Sequence, residues 1–129
     1  MSSRRNKVFI VQRPKHGDNF DMEAIEALGE IEYLLPAAPN AHDQEMIAND
    51  IQHMASRIRE AGPSDVFIIL GGSPVSQVMF GEALAHADVR SYNFGLYSRA
   101  QDRDGRRGGQ RGSYRIIPMT YAGRLSQAH

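Results

Sequence analysis

Two uninterrupted apolar runs, Val8-Phe9-Ile10-Val11 and Val66-Phe67-Ile68-Ile69-Leu70, stand out against an otherwise mixed chain. Runs of this kind, apolar without alternation, fit strands covered on both faces, the condition of a parallel sheet with helices above and below. Ile31-Glu32-Tyr33-Leu34-Leu35 keeps one polar position and stops at Pro36, which suits a strand nearer an edge. Over residues 43–61, Ile47, Ile51, Met54 and Ile58 recur at steps of four, three and four and so share one helical face. Asn40 and Asp43 resemble a capping box at its start, and Gly62-Pro63 stops it. Residues 22–28 form a shorter helix packing Met22, Ile25 and Leu28. A third helix runs from Pro74 to about Ala87. Ser73 is its N-cap, and Pro74 stands where a missing N–H is harmless. Val75, Val78, Met79 and Leu84 are expected toward the sheet, and Gly81 is expected to allow close approach of helix and strand.

After Asp88 the pattern changes. Residues 89–97 and 114–121 are rich in Tyr, Phe, Ile and Val and read as two strands of an antiparallel hairpin, joined by an Arg/Gly-rich loop at about 99–113. Pro118 puts the last strand at an edge, because proline cannot donate to a central ladder. The resulting order β-α-β-α-β-α-β-β predicts an α/β fold: a three-layer, doubly wound sheet, flavodoxin-like or minimal Rossmann-like, of order 2-1-3-4-5 with the last strand antiparallel.

Composition narrows the class further. A chain of 129 residues, 41% apolar and 23% charged, is expected to fold as a single domain over 1–129 with frayed ends. Acidic and basic residues balance at 15 each, so any charge signal must be local. The absence of cysteine excludes disulfides, thiolate nucleophiles and cysteine-ligated metals. The basic start is followed by too short an apolar run for a secretion signal, and no stretch approaches the roughly 20 apolar residues of a membrane span. The expectation is a cytoplasmic protein with no membrane partner.

In a sheet of this order, ligands bind beyond the carboxyl ends of strands one and three, where successive connections leave in opposite directions. Two loops meet there: one carries Arg13, Lys15 and His16, the other Gly71, Gly72 and Ser73. Cations beside a helix N-terminus suit a phosphate or carboxylate. Gly-Gly-Ser-Pro is neither a G-x-G-x-x-G fingerprint nor a P-loop, and such turns also serve simply to join strand to helix. The second candidate is the hairpin loop. Arg103, Arg106, Arg107 and Arg111 are spaced by glycines that let a backbone follow phosphates, with Tyr97 and Tyr114 as stacking surfaces and Asp102 and Asp104 as partial counter-charges. Ser73 lies outside a G-x-S-x-G elbow, the five histidines lack ligand spacing, and Asp102-Arg103-Asp104-Gly105 lacks the glutamate of a calcium loop. No catalytic residue, metal or cofactor is assigned.

The segments Val8-Phe9-Ile10-Val11-Gln12, Tyr33-Leu34-Leu35 and Val66 to Leu70 running into Gly71-Gly72-Ser73-Pro74-Val75 resemble a set of small uncharacterised proteins encoded by phages and plasmids. That resemblance implies an accessory protein of a mobile element and supplies no catalytic residues. Three readings remain. The first is a non-enzymatic accessory protein that recognises phosphate, binding nucleic acid through the Arg/Gly hairpin. The second is a small protein binding or processing a nucleotide or other phosphorylated small molecule, with Arg13, Lys15 and the Gly72-Ser73 amides on the phosphate and His16 or Asp18 moving a proton. The third is an assembly protein, a homo-oligomer formed through the C-terminal edge strand.

Overall fold

The two apolar runs lie side by side at the centre of one sheet. In the computed structural model, which describes residues 6–15, 20–98 and 112–120, β1 (Lys7–Gln12) pairs in parallel with β2 (Glu30–Leu35) on one side and β3 (Val66–Ile68) on the other. β4 (Ser91–Ser98) continues in parallel from β3, and β5 (Ser113–Thr120) returns antiparallel along its outer side. The sheet order is β2-β1-β3-β4-β5, with β4 and β5 antiparallel, as the sequence pattern predicts. Among the described residues no helix is long and apolar enough to cross a membrane.

Helices cover both faces, which accounts for the unbroken apolar runs. α1 (Met22–Glu26) closes one face, where Ile25 packs with Val8, Ile10, Val66, Ile68 and Leu70. α2 (Gln44–Arg59) and α3 (Pro74–His86) close the other over Phe9, Val11 and Phe67. The second core is aromatic at its centre. The Phe67 ring stacks on Phe9 at 5.0 Å and meets Phe80 at 5.5 Å, with Tyr92 edge-on at 5.9 Å. Such pairs add to the burial of the rings themselves.

Two details of the helices depart from the expected pattern. The N-cap of α2 is Asp43, whose carboxylate accepts the Met46 N–H at 3.0 Å, while Asn40 shapes the preceding turn by accepting the His42 N–H. In α3, Met79 and Leu84 are buried, but Val78 is 66% exposed, and Ser76, Phe80 and Ala83 complete the inner face. α3 is apolar nearly all round, so periodicity alone cannot fix which side faces the sheet. Gly81 falls on the outer side, where an added Cβ would meet nothing within 4 Å. A tight glycine of a different kind is Gly95 in β4, where a Cβ would lie 3.1 Å from Cγ1 atoms of both Ile68 and Val66 on the neighbouring strand. α3 ends in a Schellman motif, with Val89 N–H on Leu84 O and Asp88 N–H on Ala85 O, and Asp88 takes the left-handed position at φ 57°.

Polar ties fix the end of the sheet where β1 begins. Asp65, almost fully buried, accepts the N–H groups of Lys7 at 2.8 Å and Gly62 at 2.7 Å. Glu32 on β2 receives Lys7 Nζ at 2.8 Å and a two-pronged bond from Arg57 of α2, Nε at 2.6 Å and Nη2 at 2.8 Å. The Arg57 hydrogen bonds are the main reason that the Glu32 carboxyl drops from its usual 4.5 to about 2; burial opposes them and Lys7 adds to them. On the far side of the sheet β5 has no buried residue, and Leu96, Ile116 and Met119 are exposed.

Candidate functional site

At the carboxyl ends of the central strands the two loops named from the sequence do converge. They border a cleft of about 340 Å³ lined by Gln12, Pro14, Lys15, Ala38, Gly72 and Ser73, near the lower end of ligand-pocket volumes. Gln12 ends β1, Ala38 follows β2, and Gly72 and Ser73 lead from β3 into α3. The wall therefore comes from three consecutive parallel strands. Among its described lining residues Lys15 carries the only charge, and there is no carboxylate.

The turn after β3 is built around Gly71 and Gly72, with φ of 60° and 85°, values that side chains resist. It delivers Ser73 to the N-cap of α3, where Oγ accepts the Ser76 N–H at 3.2 Å and the Ser73 carbonyl receives the Ser76 hydroxyl at 2.8 Å. The Ser73 N–H is held by Gln12 Oε1 at 3.2 Å. Among the described residues the Gly72 and Val75 N–H groups meet no protein acceptor. The turn thus satisfies two of its amides internally and leaves two at the helix start, the part of a helix that attracts anions.

Gln12 is the residue that the sequence reading did not single out. It is 5% exposed, and its carboxamide has a fixed orientation because only the oxygen can accept the Ser73 N–H. Its Nε2 has no partner among the described residues, yet no fully buried side-chain nitrogen or oxygen there is left unbonded. The amide nitrogen therefore opens onto the cleft. The signal was present in the sequence as a polar residue closing an apolar run, at the strand end where open α/β sheets bind ligands. Gly72 packs directly on this amide: a Cβ there would lie 3.0 Å from Gln12 Oε1 and 3.3 Å from Ser76 Oγ.

Other expected site residues stand elsewhere. Arg13 is exposed and lies over the Tyr33 ring, 5.3 Å from its centroid, outside the cleft lining. Tyr97 and Tyr114 face each other across β4 and β5 with ring centroids 5.1 Å apart. The Tyr97 hydroxyl donates to Asp21 Oδ2 at 3.0 Å and accepts the Gly112 N–H at 3.1 Å. Burial first, then the electrostatic influence of neighbouring Tyr97 and Asp21, pushes the Tyr114 hydroxyl up to about 12. Both rings are thus engaged with the fold and with each other. His16, Asp18, Arg103, Arg106, Arg107 and Arg111 lie outside the described residues.

A second cleft, of about 370 Å³, opens at the opposite end of the sheet between α2 and the β4–β5 hairpin. Its polar groups already hold the fold together. Asp65 binds two backbone N–H groups, Asn93 Nδ2 donates to the Pro63 and Asp65 carbonyls, and Arg59 donates to His86 O. Among the described residues no cluster of three or more His, Asp or Glu side chains is arranged to hold a metal ion. No protein-family model, curated protein or solved structure matches the chain. Any functional reading therefore rests on this geometry and its chemistry.

Proposed function

We propose that this protein is a non-enzymatic, cytoplasmic binding module that takes a small phosphorylated molecule into the cleft at the carboxyl ends of β1, β2 and β3. The observation that carries this reading is the meeting of the Gln12-to-Lys15 segment with the Gly72-Ser73 turn around a single cavity. A helix start and donor groups, with a lysine and no carboxylate among the described lining residues, suit an anion. They suit holding it more than moving a proton, since the described lining offers no acid–base pair. Binding of nucleic acid through Arg103, Arg106, Arg107 and Arg111 ranks second. Its two stacking candidates, Tyr97 and Tyr114, are occupied with each other, so the arginines alone support it.

A melting screen separates the two. Adenosine monophosphate and triphosphate, inorganic phosphate and long single-stranded and duplex nucleic acids are each added at low and high salt. A small phosphorylated ligand at 100 times its dissociation constant is expected to stabilise the protein by about 2.7 kcal/mol, rising with the logarithm of its concentration. The long polyanions should add nothing beyond that. Absence of any shift with every small phosphorylated probe at millimolar concentration overturns the reading.

A further inference from the structure

We propose that Gln12 reads the ligand in this cleft, its carboxamide nitrogen donating to an ionised oxygen of a phosphoryl group. The inference rests on the phosphate-binding reading above and adds to it the recognising atom and the form of ligand accepted. Two independent features converge on it: the helix start at Ser73, and a carboxamide, 5% exposed, whose Nε2 opens onto the same cavity without a partner among the described residues. The side chain is nine-tenths buried while this nitrogen stays accessible, so its partner is whatever fills the cleft, water or ligand.

The polarity of the site follows from how its oxygens are used. Gln12 Oε1 accepts the Ser73 N–H, and Ser73 Oγ accepts the Ser76 N–H, so both acceptors face into the protein. What these two side chains have left for a ligand are donors, the Gln12 Nε2–H pair and the Ser73 hydroxyl hydrogen. A fully ionised phosphoryl group, which only accepts, matches them. An ammonium, which has no lone pair, leaves the Gln12 Nε2–H pair unmatched, and a neutral alcohol offers it a weaker acceptor than an ionised phosphoryl oxygen. Burial and the bond from the Ser73 N–H hold the Gln12 amide in place, and Gly72 leaves the room it occupies, so the donor is positioned before the ligand arrives.

The test is Gln12→Glu, read by calorimetric titration of the full chain at pH 8 beside its melting curve. Glutamate keeps an oxygen for the Ser73 N–H and replaces the cleft-facing donor with a negative oxygen. Wild type is expected to bind adenosine monophosphate and inorganic phosphate, and adenosine at least tenfold more weakly than its monophosphate. Gln12→Glu, melting as a folded protein, should lose monophosphate affinity tenfold or more. Equal affinity in Gln12→Glu would show that Gln12 merely props the turn, and equal binding of adenosine and its monophosphate would show that a phosphoryl group is not what is read. Either result overturns the inference while leaving a ligand in the cleft. Failure of wild type to bind all three probes overturns the phosphate reading itself, and this inference with it. If Gln12→Glu does not fold, Gln12→Met, which removes the donor without adding charge, should show the same loss, and undiminished binding there is equally fatal.

Discussion

Replacing Glu32 with glutamine should destabilise the domain in a manner that disappears in acid. Glu32 receives Lys7 from β1 and both prongs of Arg57 from α2, so one carboxylate ties two strands to a helix. These partners lower its pKa from 4.5 to about 2, a displacement equivalent to at most about 3 kcal/mol. The side chain keeps 24% of its surface in solvent, and screening there reduces the expected effect to about 1–2 kcal/mol. Because the folded carboxyl has the lower pKa, its contribution is complete above about pH 5 and is lost as pH falls toward 2. Urea unfolding of wild type and Glu32→Gln at pH 7 and pH 3 measures this directly. The gap in unfolding free energy should fall by more than half at pH 3 with the urea slope unchanged. A gap that is equal at both pH values, or absent at both, refutes the electrostatic account of the clamp.

Two further outcomes test the core and the competing function. Ile68→Asp places a carboxylate at a position 1% exposed beneath α1; without a partner it costs several kcal/mol, comparable to the stability of a whole domain, and should abolish the cooperative melt. A cooperative transition near the wild-type temperature would mean that this side of β3 is not the core described above. For the hairpin, replacing Arg106 and Arg107 together with alanine should flatten the dependence of log affinity for single strands on log salt by roughly one to two units. Failure of wild type to bind single-stranded or duplex nucleic acid at low salt ends that reading.

The sheet was legible because its central strands are covered on both sides and its edges are marked. Val8 to Val11 and Val66 to Ile68 are apolar at every position since each face meets a helix, whereas Glu32 and Pro118 announced strands with an open side. α2 was legible for the opposite reason: it has one dry face, and Met54, Ala55 and Ile58 repeat on it. α3 was only half legible, since an apolar residue such as Val78 gives no sign of which way it points, and Gly81, expected to allow close approach to the sheet, falls on the outer side. The meeting of Lys15 with Gly72 and Ser73 followed from topology alone. Gln12 was visible only as a polar residue closing an apolar strand, because which end of its amide the Ser73 N–H consumes is a fact of geometry that residue type does not carry.

The antiparallel return of β5 puts both described ends of the hairpin connection, Ser98 and Gly112, at one pole of the sheet. β4 runs parallel to β1 and β3, and counting on from the Phe67–Phe94 pair puts Ser98 level with Gly71. Ser98 and Gly112 therefore both stand at the pole where the cleft opens, and Ser98 on β4 is one strand from β3 and two from β1. Those separations are about 5 and 10 Å, the first within and the second just beyond the Debye length of about 8 Å in physiological salt. Anions held at the cleft and beside Ser98 would feel each other's charge through this distance. Their occupancies are then thermodynamically linked, and whatever factor one imposes on the affinity of the other is returned in full.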